Sequence, residues 1–118
     1  MLFGYGRFGS NMYTVLYKTH KKILVIDENP GIISHLQKNN IPCIYGDMGD
    51  IDFLQELNVK KSKMIISTVK TFDESMILLK TIKQHSPNLI IILVSNQIHE
   101  AIKLYEQGAD YVILPHYI

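Results

Sequence analysis

The sequence lacks the features that mark several classes of protein. It has one cysteine, Cys43, and no tryptophan in 118 residues, so an internal disulfide is excluded and a reducing compartment is expected. Its longest apolar run, 89–94, is far too short to cross a bilayer, and no signal peptide is recognisable. Twelve basic against eleven acidic residues give a net charge of +1, which argues against a nucleic-acid or membrane-surface partner.

What the chain does contain is an alternation of apolar strands and short helices. The patterns predict strands at 22–27, 42–46, 63–68, 89–95 and 111–115, and helices at 30–40, 50–57, 73–85 and 99–108. Such an alternation predicts an α/β fold of one domain, a doubly wound Rossmann-like parallel sheet with helices on both faces. If residues 1–3 are a truncated first strand, the sheet has six strands in the order 3-2-1-4-5-6.

The first motif with chemical meaning is the stretch "MLFGYGRFGSNM", where Gly4, Gly6 and Gly9 form a G-x-G-x-x-G. Alone, this spacing is weak evidence. In a dinucleotide turn, Gly4 would permit the tight bend, Gly6 the approach of phosphate, and Gly9 the close packing of helix on sheet. The following helix N-terminus would then bind phosphate. Arg7 lies inside the turn and either reaches that phosphate or points into solvent.

A second motif supports the first, because Asp27 ends a predicted strand 18 residues after Gly9. An acid at this position accepts hydrogen bonds from both ribose hydroxyls. Its charge would repel a 2′-phosphate, which favours NAD(H), AMP, ADP or ATP over NADP(H). The structural alternative is that the glycines only tighten the turn and Asp27 caps the next helix.

Two further segments are expected at the same carboxyl edge of the sheet, where ligands of open α/β sheets bind. Asp47 could accept the adenine amino group, or it could be a simple turn aspartate. The backbone of residues 67–69 could run alongside the adenine or a second ribose. Hydroxyl residues are common in such turns, so this segment alone is weak evidence. The predicted cofactor-binding residues are Gly4, Tyr5, Gly6, Arg7, Phe8, Gly9, Asp27, Glu28, Asp47, Met48, Ser67, Thr68 and Val69. No catalytic or metal-ligating residue is predicted.

The spaced segments "GYGRFG", "VIDENP", "IYGDMGD" and "GADYVILPH" resemble the N-terminal half of an RCK domain, also called TrkA-N or KTN, over essentially the whole chain. The resemblance assigns the glycine turn with Arg7 to phosphate, Asp27 to ribose and Asp47 to the vicinity of adenine. The stretch 68–75 departs from the acidic D-D-E-x-N that many RCK domains carry, and together with the chain's ending it looks more like the cation:proton antiporter branch.

The resemblance also implies a biological role. RCK domains are regulators at the cytoplasmic face of the cell membrane, and they act on potassium channels, Trk and Ktr transporters and CPA2-type antiporters. The chain is therefore expected to be a fragment of a larger protein, cut close to its first strand. It would pair as a homodimer and act on a membrane transport domain of the same or a partner chain. Met76, Leu79 and Ile82 form one candidate interface, for which packing against the sheet is an equal alternative.

The main rival from another class is the core of an NAD-dependent oxidoreductase, which would need a substrate domain and a proton donor beside the nicotinamide. The five histidines are scattered and predicted to lie on the surface, with His116 the one to examine for ligand contact. A phosphoryl-accepting receiver domain fails on spacing, since no Lys-Pro ends the last strand. The sequence therefore predicts a binding domain that is not an enzyme.

Overall fold

The computed structural model describes residues 1–115, in which six strands alternate with five α-helices. The strands are β1 (Leu2–Phe3), β2 (Val25–Asp27), β3 (Cys43–Tyr45), β4 (Met64–Ser67), β5 (Ile90–Val94) and β6 (Tyr111–Ile113). The helices are α1 (Arg7–Tyr17), α2 (Pro30–Lys38), α3 (Ile51–Glu56), α4 (Phe72–His85) and α5 (Ile98–Glu106). A short 3₁₀ turn, Val59–Lys61, precedes β4.

All strand pairs are parallel, and the order is β3-β2-β1-β4-β5-β6, which confirms the predicted topology. β1 has only two residues, yet it pairs on both sides: Phe3 lies opposite Ile26 of β2 and opposite Ser67 of β4. The strand order reverses between β1 and β4, so the carboxyl ends of β1, β2 and β4 meet where ligands bind in open α/β sheets.

The element ends differ from prediction by a few residues, for local reasons. β2 begins at Val25 rather than at 22, and Val25 is the first of its residues to pair with both Leu2 of β1 and Cys43 of β3. α2 stops at Lys38, since Asn40 has a left-handed φ of 57° that ends a helix. The predicted N-cap of α3 is confirmed, because the side chain of Asp50 accepts hydrogen bonds from the N–H groups of two residues in the first turn of that helix.

The helices cover both faces of the sheet, and successive residues of β1 separate the two halves of the core. Phe3 packs into the larger cluster with residues of α3, α4 and α5 such as Leu78 and Leu104. Leu2 packs into the other cluster with α2, through Ile33 and Leu36. This alternation follows from the two-residue period of a strand, and it fixes the turn after Phe3 between two packed layers.

Of the two alternatives for the stripe on α4, interface or packing against the sheet, the structure shows packing against the sheet. Leu79 and Ile82 of the proposed interface stripe are 0% and 2% exposed and belong to the core. Met76 is half-buried and packs against the same cluster. The helical spacing therefore marked the sheet-facing side of α4.

The remaining surface predictions concern the histidines and membrane segments. His20, His35, His85 and His99 are exposed, as predicted, whereas His116 lies outside the described residues. Of the helices within residues 1–115, none is both long and apolar enough to cross a membrane.

Three tyrosines form an array that starts in the glycine turn and continues along α1. The ring of Tyr5 meets the ring of Tyr13 edge-on at 5.7 Å between centroids. Tyr13 stacks on Tyr17 at 5.6 Å, and the Lys21 ammonium lies 4.2 Å from the Tyr17 centroid. Since aromatic and cation–π contacts of this kind are each worth about 0.5–1 kcal/mol, the array helps to hold the turn to the helix.

Candidate functional site

Two of the three glycines in the turn are required by the packing of the chain itself. Gly4 has a φ of +91° and donates its N–H to the carbonyl of Ile26 at 2.8 Å. A Cβ on Gly4 would lie 2.5 Å from Thr68 Oγ1, and a Cβ on Gly9 would overlap the carbonyl group of Gly4. No side chain fits at either position.

The third glycine, Gly6, is different, because a Cβ there would meet nothing within 4 Å. Its φ of −67° is open to any residue. Gly6 is the N-cap of α1, no side chain caps that helix, and its first turn carries no acid. The first-turn N–H groups, from Arg7 to Gly9, have no partner inside the helix, and the space beside Gly6 is open.

Asp27 is tied to this turn by its side chain. Its Oδ2 accepts the N–H of Tyr5 at 2.8 Å, and its Oδ1 accepts the N–H of Asn29 at 2.9 Å. Asn29, and not Asp27, caps α2, because its Oδ1 accepts from the first turn of that helix. A carboxylate has about four acceptor positions, so Asp27 keeps about two for a ligand.

A cleft of about 100 Å³ lies at the carboxyl ends of β1, β2 and β3. It is lined by Phe3, Gly4, Ile26, Asp27, Glu28, Gly46, Asp47, Met48, Val69 and Glu74. Six of these are sequence-predicted site residues, which arrive from four separate segments of the chain. The cleft is smaller than typical ligand pockets, which have volumes of roughly 300–1,000 Å³. A ligand would therefore extend beyond the cleft and reach the N-terminal end of α1.

A larger cavity, about 310 Å³, lies between the end of α3, the 3₁₀ turn and the end of α4. It includes Leu54, Lys60 and His85 but none of the sequence-predicted site residues. We take the smaller cleft as the candidate site, because it lies at the carboxyl edge of the sheet beside the reversal of strand order.

The other predicted residues lie around the cleft rather than in it. The Ser67 hydroxyl donates to Met48 Sδ at 3.2 Å and accepts from the N–H of Val69. The Thr68 hydroxyl lies 3.2 Å and 3.0 Å from the carbonyl oxygens of Phe3 and Gly4. These two hydroxyls are used inside the protein and act as supports for the turn.

Three predicted residues of the turn, Tyr5, Arg7 and Phe8, are not among the residues that line the cleft. Tyr5 and Phe8 are half-buried, and Arg7 is exposed. The single salt bridge found in residues 1–115 joins Lys83 to Asp110, so Arg7 has no carboxylate partner among them. Its guanidinium is available to an anion bound at the start of α1.

Glu74 is a site residue that the sequence analysis missed. It belongs to the first turn of α4 and lines the cleft beside Asp47 and Glu28. Burial raises the pKa of Glu74, and the carboxylates of Asp47 and Glu28 raise it further. The available signal was its position in the first turn of the helix that follows β4, at the same edge of the sheet.

The raised pKa of Glu74 predicts that Glu74→Gln increases the stability of the fold, and that this increase depends on pH. The folded protein disfavours the ionised carboxylate, so Glu74 costs no stability below its unfolded pKa and costs most once pH exceeds its folded pKa. Glu74→Gln should therefore raise the free energy of unfolding by about 0.5 kcal/mol at pH 7. It should leave that free energy unchanged at about pH 3.5.

Urea denaturation at the two pH values measures this difference. The matched control is Glu106→Gln, which removes an exposed carboxylate from α5. An equal gain from Glu74→Gln at both pH values would show that its charge is not the cause.

The four carboxylates around the cleft do not form a metal site. Among the described residues, no group of three or more His, Cys, Asp or Glu side chains could hold a metal ion. The acidic lining is thus suited to a neutral, donor-rich group, and it would repel phosphate toward the start of α1.

The strand order and the edge site at its reversal define a Rossmann-like α/β domain. Sequence comparison makes the class specific. The chain belongs to the TrkA-N domain family, whose model matches residues 1–115, and this confirms the resemblance noted in the sequence.

The curated relatives are much longer proteins. The glutathione-regulated potassium-efflux system protein KefC of Klebsiella pneumoniae (strain 342) is 28% identical over 107 residues, which are 91% of this chain and 17% of the relative. The chain thus spans about a sixth of the length of the curated relatives it matches.

Solved structures show the same fold. The TrkA-N domain of the inner membrane protein ybaL from Escherichia coli aligns with a TM-score of 0.89 at 22% identity, covering 98% of this chain and 85% of that one. The Shewanella denitrificans Kef CTD in AMP bound form aligns with a TM-score of 0.82 at 20% identity, covering 98% of this chain and 70% of that one. The GsuK channel bound to NAD aligns with a TM-score of 0.82 at 22% identity, covering 97% of this chain and 20% of that one.

Proposed function

We propose that this chain is a cytoplasmic regulatory domain that binds an adenine nucleotide, NAD(H) or AMP, and thereby controls transport of potassium or another monovalent cation. The observation that carries the proposal is Gly6. Packing explains Gly4 and Gly9, whereas nothing in the described residues requires a glycine at Gly6. A phosphate against the backbone there would require one.

The start of α1 supplies what a phosphate needs. Its uncapped N–H groups and the positive end of the helix dipole favour an anion. Arg7 adds a full positive charge beside them. The phosphate of the ligand therefore lies over Gly6, outside the acidic lining of the cleft.

The carboxylates hold the adenosine end. Asp27 has spare acceptor positions for the ribose hydroxyls, and its charge disfavours a 2′-phosphate. Asp47 Oδ1 accepts the N–H of Gly49 at 2.8 Å, which leaves acceptor capacity for the amino group of adenine. Glu28 and Glu74 add negative charge around a neutral nucleoside, so they orient the ligand with its phosphate outward.

The relatives support the transport role. KefC is by name a potassium-efflux protein, and a Kef domain with AMP and a GsuK channel with NAD share this fold. We propose that the chain pairs as a homodimer and works through a membrane transport domain of the same or a partner chain. A ligand that fits one arrangement of the pair better would shift the pair toward it.

We propose no catalytic role. The hydroxyls of Ser67, Thr68 and Ser95, at the carboxyl ends of β4 and β5 or directly after them, are all engaged with neighbouring groups of the chain. None is paired with a base that would activate it for nucleophilic attack. No observation in residues 1–115 favours the oxidoreductase alternative.

Calorimetric titration with AMP, ADP, ATP, NADH and NADPH tests the binding proposal. Adenine nucleotides should bind, and NADPH should bind at least about tenfold more weakly than NADH, because its 2′-phosphate meets Asp27. Gly6→Ala should weaken AMP binding about tenfold or more while the protein stays folded, since the added methyl fills only the phosphate position. Unchanged AMP affinity in Gly6→Ala would mean that the phosphate does not bind at this turn.

Ion flux through the intact transport protein tests the regulatory half of the proposal. In vesicles that contain it, addition of AMP or NADH should change the flux, and Gly6→Ala should abolish that change. A nucleotide response that survives Gly6→Ala would mean that another site regulates transport.

A further inference from the structure

The charged side chains are divided between the two edges of the sheet, although the chain as a whole carries only +1. At the carboxyl edge, the segments from each strand end through the first turn of the next helix contain eight of the eleven acids and two of the twelve basic residues. The acids there are Asp27, Glu28, Asp47, Asp50, Asp52, Asp73, Glu74 and Glu100. The small net charge is therefore the sum of two opposite surfaces.

The amino edge of the sheet is basic where the chain enters β2, β3 and β4. Between the last residues of the preceding helices and these three strands lie seven exposed lysines and one acid, Glu56. The lysines are Lys18, Lys21, Lys22, Lys38, Lys60, Lys61 and Lys63. The salt bridge found in residues 1–115 uses Lys83 instead, so none of the seven is paired with a carboxylate of that part of the chain.

The register of the sheet brings these lysines together. Leu2 of β1 is paired with Val25 of β2 and with Ile66 of β4. Lys22 and Lys63 each lie three residues before those partners, so they flank β1 at nearly the same level, about 10 Å apart at about 4.8 Å between strands. The connection to β3 lies beside β2. The seven lysines thus share one surface, which we call the basic edge.

The kind of charge on the basic edge favours a flat anionic surface over a nucleic acid. All seven residues are lysines, whose compact charge suits diffuse attraction, whereas the single arginine of the chain, Arg7, lies at the other edge. A nucleic acid extends its phosphates past the region of contact, where the eight acids of the carboxyl edge would repel them. A lipid surface touches one edge only and leaves the acids pointing away from it.

We propose that the basic edge lies against an anionic lipid surface, the inner leaflet of the cell membrane, with the acidic edge and its nucleotide cleft facing away. This goes beyond the proposed function and does not depend on nucleotide binding. The net charge alone argues against a membrane-surface partner, but the division of charge reverses that argument. Each lysine near anionic headgroups adds about fivefold to the affinity, and the acids of the far edge fix the orientation.

Cosedimentation of the 118-residue chain with vesicles tests the inference. The chain should bind phosphatidylcholine vesicles that contain about one third phosphatidylglycerol, and it should not bind vesicles of phosphatidylcholine alone. About 0.5 M salt should release it, because screening acts on exposed charges. Replacing Lys60, Lys61 and Lys63 together by glutamine should weaken binding about a hundredfold.

The matched control replaces Lys70, Lys80 and Lys103 by glutamine. These lysines are also exposed and lie outside the basic edge, so this triple variant has the same net charge as the first. Its vesicle binding should stay within about threefold of wild type, since charges farther than about a Debye length from the lipid are screened.

Four results would overturn the inference. Equal losses in the two triple variants would assign the effect to net charge, and equal binding to both kinds of vesicle would exclude the anionic headgroups. Short duplex DNA that binds more tightly than the vesicles would make the edge a nucleic-acid surface. Salt-sensitive self-association without vesicle binding would mean that the two edges pair with each other. AMP titration separates this inference from the proposed function, because AMP affinity should be unchanged in the Lys60, Lys61 and Lys63 variant and its absence in wild type would refute the proposed function alone.

Discussion

Replacing Gly9 by alanine should lower the free energy of unfolding by about 3 kcal/mol, at the upper end for an added methyl group. The new Cβ would overlap the backbone carbonyl of Gly4, and no change of side-chain rotamer relieves a clash with backbone. Gly4 cannot move aside easily, because its N–H is bonded to Ile26 and its carbonyl accepts from Thr68. Urea denaturation measures the loss.

Gly6→Ala is the matched control for this prediction. It adds the same methyl group three residues earlier, where nothing lies within 4 Å. It should cost less than about 1 kcal/mol, the usual preference of an N-cap for glycine over alanine. Similar losses from Gly6→Ala and Gly9→Ala would mean that the turn does not have the packing described for it.

Asp27→Ala should weaken AMP and NADH binding by about one to two decades, because a charged acceptor for the ribose hydroxyls contributes roughly 1.5–3 kcal/mol. Asp27 also holds the N–H groups of Tyr5 and Asn29, so part of this loss would come from a looser turn. Asp27→Asn tests the charge. It keeps one carbonyl acceptor, places an NH2 group against one of the N–H groups of Tyr5 and Asn29, and should narrow the difference in affinity between NADH and NADPH.

Calorimetry on the two Asp27 variants, with thermal unfolding alongside, makes these measurements. The control is Asp73→Ala, which removes an exposed carboxylate outside the cleft lining and should leave nucleotide affinity unchanged. If Asp27→Ala binds AMP within twofold of wild type, the ribose does not lie on Asp27.

The strand order and the glycine turn could be predicted from sequence, because both depend on local patterns. Alternating apolar runs and helices allow few topologies, and Gly4, Gly9 and Asp27 occur at the spacing that a βα turn requires. The structure adds that Asp27 bonds to the turn directly through Tyr5, across 22 positions of chain. That contact joins the glycine turn directly to the acid at the end of β2.

Other parts of the site depended on contacts between distant residues. Thr68 bonds to Gly4 across 64 positions, so its hydroxyl could not be recognised from sequence as a support for the turn. Glu74 reaches the cleft because α4 packs on the sheet. The apolar stripe with Leu79 showed that one face of α4 is covered, but a periodic pattern does not say whether sheet or partner covers it.

The tyrosine array beginning at Tyr5 has a practical consequence for optical spectroscopy. The chain has seven tyrosines and no tryptophan, so no indole accepts their excitation energy or obscures their near-ultraviolet bands. Tyr5 lies in the turn that is proposed to bind phosphate, and its ring contacts Tyr13, which stacks on Tyr17. The emission and near-ultraviolet circular dichroism of these coupled phenols give the turn a built-in optical reporter that needs no attached dye.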